Sequence, residues 1–224
     1  MRVSEYIEDL ITGEVGKLAI ADVGDMSLNP VTPPTEIQLA NQKKFISYIN
    51  QANLAVHKKF GLLQKDFEMD NPIEGEEYKL PDDYMAPISA YYAVDKEPVT
   101  VKDNSVNMVS QVDTAVSILI PEPLLARIKG TDSLARPLII LRYSASPKKA
   151  TNAATNLKIS AAYTDAILNY AAYKAHSAVS GKMNDENNTY YLRYEASCKE
   201  ILAQGLHGNN EIETNTKLED RGFV

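Results

Sequence analysis

The sequence predicts a mainly α protein: a helical bundle with an inserted small antiparallel β region and an extended C-terminal tail. Three observations predict it. Apolar residues recur at helical spacing in three stretches, 36–63, 158–180 and 185–206. Between the first and second of these the texture changes, with eight prolines from Asp66 to Pro147 and short β-favouring runs set between turn residues. Beyond Gly208 no period survives and few apolar residues remain, so that segment orders only against a partner.

Each element has its own signature. Near the start, Ser4, Ile7, Leu10 and Ile11 with Glu8 and Asp9 predict a short helix stopped at Gly13, its acids suiting the positive end of the helix dipole. Glu14 to Pro34, rich in Gly and Pro and ending in TPPTE, reads as a long connector, with Thr35 as the N-cap of the next helix. From Glu36 to about Leu63, the positions Phe45, Ile49, Ala52, Val56, Phe60 and Leu63 mark one buried face of that long helix. Lys43, Lys44, Lys58 and Lys59 fall on other faces as solvated surface.

The β region, about 66–147, has four strand candidates: Ile88–Val94, Val99–Val101, Ala115–Ile120 and Leu138–Tyr143. Pro121 and Pro123 are expected to close the third, and the LLARI after them to form a brief helical turn. Lys158 to Ser180 then places Tyr163, Ala166, Ile167, Tyr170, Tyr173 and Ser177 on one side of a helix ended by Gly181. Asp185 to Leu206 is its antiparallel partner, with Tyr191, Tyr194, Cys198, Ile201 and Leu202 facing inward and Gly205 and Gly208 as stop signals. The domain reading is therefore residues 1–207 as a single domain and 208–224 as an arm.

Composition narrows the classes of function. A hydrophobic content of 44% in 224 residues supplies a core without staples. Thirteen Tyr against four Phe and no Trp make the aromatic mass amphipathic, suited to half-buried surfaces. The net charge of -7 argues against a sequence-independent grip on nucleic acid, which rests on Lys and Arg neutralising phosphates. The N-terminal MRVSEYIEDLITG lacks the apolar run of a secretory signal, and no stretch reaches the length of a membrane span; a soluble protein made in a cytoplasm is expected.

No motif carries chemistry. His57, His176 and His207 each sit in a helical pattern without the placed partner that a general base requires. No HExxH, paired CxxC, DxDxDG, GxxxxGK[ST] or GxGxxG occurs, so neither a metal nor a nucleotide cofactor is expected. Cys198, the single cysteine, reads as a buried inert thiol. Carboxylates at Glu68–Asp70, Glu74–Glu77 and Asp82–Asp83 leave open a metal-dependent enzyme built on loop acids, although repulsion between exposed acids is the simpler account. Lys148–Lys149 is the one basic doublet following a strand and reads as a solvated loop.

Four stretches in order, Leu80-Pro-Asp-Asp-Tyr84 before a strand, Tyr143-Ser-Ala-Ser-Pro147 closing the last strand, the small-residue helix from Tyr163 to His176 and the terminal Lys217-Leu-Glu-Asp-Arg-Gly-Phe-Val224, give the chain a layout that resembles the head-to-tail adaptor (connector) proteins of tailed bacteriophages, podophage-like in type. The resemblance spans roughly residues 35 to 224, and its specificity lies in the order of the stretches. It implies a structural virion protein and not an enzyme. Copies, about twelve, would form a ring at the head–tail interface, joining the portal protein to a tail or nozzle protein. DNA would pass through the channel without specific binding, no membrane would be involved, and synthesis would take place in the host cytoplasm. On this reading residues 208–224 are a docking arm in which Lys217, Leu218, Arg221, Phe223 and Val224 meet the portal or a neighbouring subunit through apolar anchors and charge pairs. Another neck or tail-completion protein would share the layout.

Overall fold

The structure, a computed structural model, describes residues 1–13, 15–26, 33–103, 116–130, 136–180 and 189–206. The chain divides into two units, Met1–Val56 with Lys149–Val224, and His57–Lys148. The second unit is thus an insertion in the sequence of the first.

The first unit is helical. In α1 (Val3–Thr12) the buried residues are Val3, Tyr6, Ile7 and Leu10, one face at spacings of three and four. The Glu5 carboxylate accepts the Arg2 backbone N–H at 2.8 Å, and Gly13 follows as the C-cap. The long α2 (Glu36–Phe60) opens with a capping box on the expected Thr35: its Oγ1 accepts the Gln38 N–H at 3.2 Å while Gln38 Oε1 accepts the Thr35 N–H at 2.9 Å. Phe45, Ile49, Ala52, Val56 and Phe60 are buried on the expected face, while Leu63, counted with them, lies beyond the helix end and is half-buried. Residues 15–26 of the segment read as a connector are built into this unit, while 14 and 27–32 lie outside the described residues. Val15, Ile20 and Val23 are buried, a 3-10 turn spans Ala19–Ala21, and α2 holds the chain by Asn41 and Gln42 donating to the Asp22 and Val23 carbonyls at 2.9 and 2.7 Å. Few apolar residues in a Gly- and Pro-rich stretch suffice when a neighbouring helix satisfies its backbone.

Two later helices complete the unit. A 3-10 turn (Ala161–Tyr163) leads into α3 (Thr164–Ser180), and α4 (Thr189–Ala203) follows. Their expected stop and start at Gly181 and 185–188 lie outside the described residues, as does Gly208. The end of α4 is a Schellman motif. Gly205, at φ +66°, lets its N–H reach the Leu202 carbonyl and the Leu206 N–H reach the Ile201 carbonyl, both at 3.1 Å. Alanine-rich α3 buries Ala166, Ala171, Ala172 and Ala175, which lets neighbouring backbones approach closely.

The inserted unit corrects the expected fold class. The described residues hold four α-helices but also seven strands, so the protein is not mainly α. These are β1 (Gln64–Asp70), β2 (Glu77–Lys79), β3 (Tyr84–Tyr92), β4 (Pro98–Asp103), β5 (Ser117–Glu122), β6 (Leu125–Lys129) and β7 (Leu138–Ala145), in one sheet of order β1-β7-β3-β4-β5-β6-β2. The four expected strands are β3, β4, β5 and β7. Three were not expected, because β1 (QKDFEMD) is charged, β2 (EYK) is both short and charged, and LLARI has no strict alternation in sequence. Tertiary pairing supplies what propensity lacks. Asp66 lies directly opposite Arg142 of β7, and Glu77 directly opposite Arg127 of β6, each an ion pair across the ladder. Charge is also what an edge position calls for, and β1 and β2 are the two edges.

The sheet is mixed, not purely antiparallel, since β4 and β5 run parallel from Thr100↔Ser117 to Asp103↔Ile120. Residues 104–116 separate the two strands, the dozen or so residues that a parallel connection needs. LLARI forms a strand and not a helical turn: Ala126 and Ile128 are buried while Arg127 and Lys129 are exposed. Of the two prolines expected to close β5, Pro121 lies within the strand and Pro123 follows its last residue. The strand runs through Pro121 to Glu122 across a register shift, and Leu124 at φ +62° makes the tight turn into β6. The core of this unit has Met69, Ile118, Ile128, Ile139 and Leu141 of the strands and Leu80, just beyond β2, at its centre.

Candidate functional site

The predicted partner-binding residues, Lys217, Leu218, Arg221, Phe223 and Val224, lie outside the described residues, as does His207. The tyrosine-rich faces of α3 and α4 fall within the described residues. Helical spacing brings Tyr170 and Tyr173 to one side of α3 and Tyr191 and Tyr194 to one side of α4. The two sets meet edge to face: Tyr170–Tyr194 at 5.0 Å and Tyr173–Tyr191 at 5.3 Å between ring centres, within the range where such pairs attract. Lys174 Nζ lies 4.9 Å from the Tyr173 ring centre and 5.4 Å from that of Tyr170. His176 stacks on Tyr190 at 4.6 Å, and Arg193 lies over the same ring at 5.5 Å.

This arrangement spends the tyrosines inside the chain. They join two helices of one protomer, Tyr173 and Tyr194 buried and Tyr170 and Tyr191 half-buried. Burial pushes the Tyr194 hydroxyl up, with the neighbouring Cys198 adding to the shift. Cys198 is itself fully buried and forms no disulfide, as expected. The Tyr163 hydroxyl donates to the Leu206 carbonyl at 3.1 Å, tying the end of α4 back to the start of α3.

One expected inward position is exposed. Leu202 is 46% exposed, at the margin of the face that buries Tyr194, Cys198 and Ile201, while Leu192, at 56%, lies on the outer side of α4. Sequence alone cannot separate Ile201 from Leu202, adjacent apolar residues either of which fits the period. A second feature of this unit is an open groove of about 360 Å³ lined by Ile11, Ala21, Val23 and Met26 and bordered by Glu8, Asp22 and Asp25. No signal in the sequence marked it, because it depends on the 3-10 turn folding back beside α1.

The carboxylates considered for an enzyme are placed by the β unit. Asp83 accepts the Tyr143 hydroxyl at 3.0 Å and pairs with Lys65, which holds its carboxyl below the ordinary value; burial first, and then Asp83, push Tyr143 up to about 12. Arg142, through its hydrogen bonds, lowers Asp66 in the same way. Glu76 accepts the Tyr78 hydroxyl at 2.5 Å, and Asp82 lies 3.9 Å from Lys79. Asp95 is lowered by the Glu97 N–H and then by Arg136, whose guanidinium lies 3.5 Å over the Tyr92 ring. Among the described residues no three His, Cys, Asp or Glu side chains gather in a way that could hold a metal ion. His57 is buried and His176 is part of the aromatic stack. Lys148 and Lys149 are exposed. No helix among the described residues is long and apolar enough to cross a membrane.

No protein-family model and no curated protein matches the chain. Among solved structures, a chain described as "Neck of empty GTA particle computed with C6 symmetry" aligns over 88% of this chain and 88% of its own length, at 12% identity and a TM-score of 0.29. At that score and identity the likeness carries no argument about fold or function.

Proposed function

We propose that this chain is a structural protein of a phage-type virion neck, an adaptor whose copies form a ring between the portal and the tail and continue the DNA channel. The observation that carries the reading is the layout of the chain: a helical unit, Met1–Val56 with Lys149–Val224, interrupted by the β unit His57–Lys148. The stretches that resemble the adaptor proteins fall in that layout at Leu80–Tyr84 leading into β3, at Tyr143–Pro147 closing β7 and along α3. A non-catalytic role is part of the proposal. Among the described residues the shifted groups of the β unit each have a structural cause, an ion pair, a hydrogen bond or burial; Asp83 and Tyr143, which shift in opposite directions, do so chiefly through Lys65 and through burial, with their own hydrogen bond adding to both. A net charge of -7 suits a channel through which phosphates slide and are not held. In this reading Lys217, Leu218, Arg221, Phe223 and Val224 dock the arm on the portal or on a neighbouring copy.

Imaging of the purified protein by negative stain, with and without its portal, tests the proposal. Closed rings seated on the portal are the expected result. A ring that binds tail components and ignores the portal points to another neck or tail-completion protein. A metal-dependent turnover that disappears on changing Glu76 or Asp82 would overturn the structural reading.

A further inference from the structure

The chain as a whole is acidic, but its acids are not spread evenly. All thirty Asp and Glu fall outside two segments, 37–65 and 143–164, which between them carry eight lysines. Nearly all of the first segment is α2, whose exposed face reads Lys43, Lys44, Ser47, Gln51 and Lys58, cations and hydrogen-bond donors with no carboxylate among them. These side chains are turned outward because the opposite stripe, Phe45, Ile49, Ala52 and Val56, is buried. Asn50 brings the second segment to the same helix. Its side chain donates to the Ala150 carbonyl at 2.9 Å and accepts the Ala150 N–H at 2.8 Å, so exposed Lys149 is held beside the middle of α2. Along the helix axis Asn50 stands about 10 Å from Lys43 and about 12 Å from Lys58. Among the described residues Lys43, Lys44, Lys58 and Lys149 enter no ion pair, whereas Lys65, Lys79, Arg127, Arg136 and Arg142 of the β unit each meet a carboxylate. Glu36 and Asp22 lie at the first turn of α2, Asp22 held there by the Gln38 side chain.

We infer that this line of lysines meets the phosphate backbone of double-stranded DNA without reading its sequence. The inference rests on the adaptor reading above for the duplex concerned, the DNA that passes through the channel. Charge complementarity carries it. Lysines with no carboxylate partner neutralise phosphates and release their counterions, and Ser47 and Gln51 supply the uncharged donors that also reach phosphate oxygens. The shape fits a rod. Lys43 to Lys58 covers about 22 Å of helix, the axial length of about six phosphates of one strand, and Lys149 stands midway. A net charge of -7 is therefore a sum over two unlike regions, one basic line and an acidic remainder. The remainder repels phosphates, which directs the duplex to the line and keeps the contact weak and sensitive to salt. Contacts of that strength guide a moving duplex and release it.

Fluorescence anisotropy of a labelled DNA duplex, titrated with the full-length chain over a range of salt concentrations, tests the inference. Binding should be indifferent to the duplex sequence, and the logarithm of its constant should fall with the logarithm of salt at a slope of about -4, for four lysines on phosphates. Lys43→Gln with Lys44→Gln should reduce that slope by about 2 and Lys149→Gln by about 1, while Lys→Arg at the same positions restores it. Lys199→Gln, at an exposed lysine of α4, is the control and should leave the slope as it is. All of these side chains are exposed, and an unchanged melting temperature verifies that each variant is folded. No binding to the duplex at low salt, or a slope that Lys199→Gln lowers as much as Lys149→Gln does, overturns the inference. So does loss of portal binding by the Lys43→Gln, Lys44→Gln variant with its duplex binding intact, which would assign the line to an acidic protein surface. Portal-bound rings from a chain that ignores DNA sink this contact and leave the functional reading standing. Duplex binding through these lysines without any portal-bound ring does the reverse.

Discussion

Ile49 is completely buried on the face of α2 that also holds Phe45, Ala52 and Val56. Ile49→Asp places a carboxylate among those buried apolar side chains, and we expect a loss of about 3–5 kcal/mol, read as a lowered melting temperature; an unchanged melt would mean that the face is misassigned. Tyr143→Phe removes only a hydroxyl, the one donated to Asp83, and should cost about 0.5–1.5 kcal/mol. The acids of the β unit set its response to pH. Asp66 and Asp83 are lowered in the folded state, so the stability they contribute is fully present above their unfolded value of about 3.9 and drains away as pH falls through the lower folded values. Melting temperature should therefore decline below about pH 4, and Asp66→Asn with Asp83→Asn should flatten that decline. Such positions were legible unevenly. Ile49 was readable because five neighbours in the period agree, while Leu202 was misread because Ile201 competes for the same inward place. Asp83 was noticed only as one acid in a cluster, since its partners Lys65 and Tyr143 are far away in sequence.

At the scale of elements, helices announced themselves and half of the sheet did not. A helix satisfies its backbone from within, so its buried stripe repeats in one continuous window, as in α2 with Thr35 in front. A strand borrows its partners from elsewhere in the chain. β1 is written QKDFEMD and still forms a seven-residue ladder against β7, because one face buries Met69 and the other pairs Asp66 with Arg142. The small turn residues carry comparable weight. Gly205 has open space around its α-carbon but a φ of +66°, so Gly205→Ala meets strain and no clash. It should cost about 1 kcal/mol and fray the last turn of α4, which hydrogen exchange at the Gly205 and Leu206 amides would register. Unaltered protection there would show that the left-handed turn is not what ends the helix.

For the whole molecule, the proposal of an arm beyond residue 207 has a direct test. Truncation after His207 is expected to leave the melting temperature nearly unchanged while portal binding or ring formation falls sharply; full assembly by the shortened chain would remove the arm from the mechanism. By itself the sequence determined the helical faces, the site of the β-rich insertion between α2 and α3, four of the seven strands and the absence of recognisable catalytic motifs, all properties carried by local spacing and composition. The tertiary structure alone decided that the β unit is a seven-stranded mixed sheet, that the tyrosines of α3 and α4 are spent on each other, and that residues 15–26 fold back to form a groove. Those outcomes depend on pairs distant in sequence, Asp66 with Arg142, Tyr170 with Tyr194, Asp22 with Asn41, whose attraction exists only once folding has brought them together and has no periodicity by which a reader of the chain could find it.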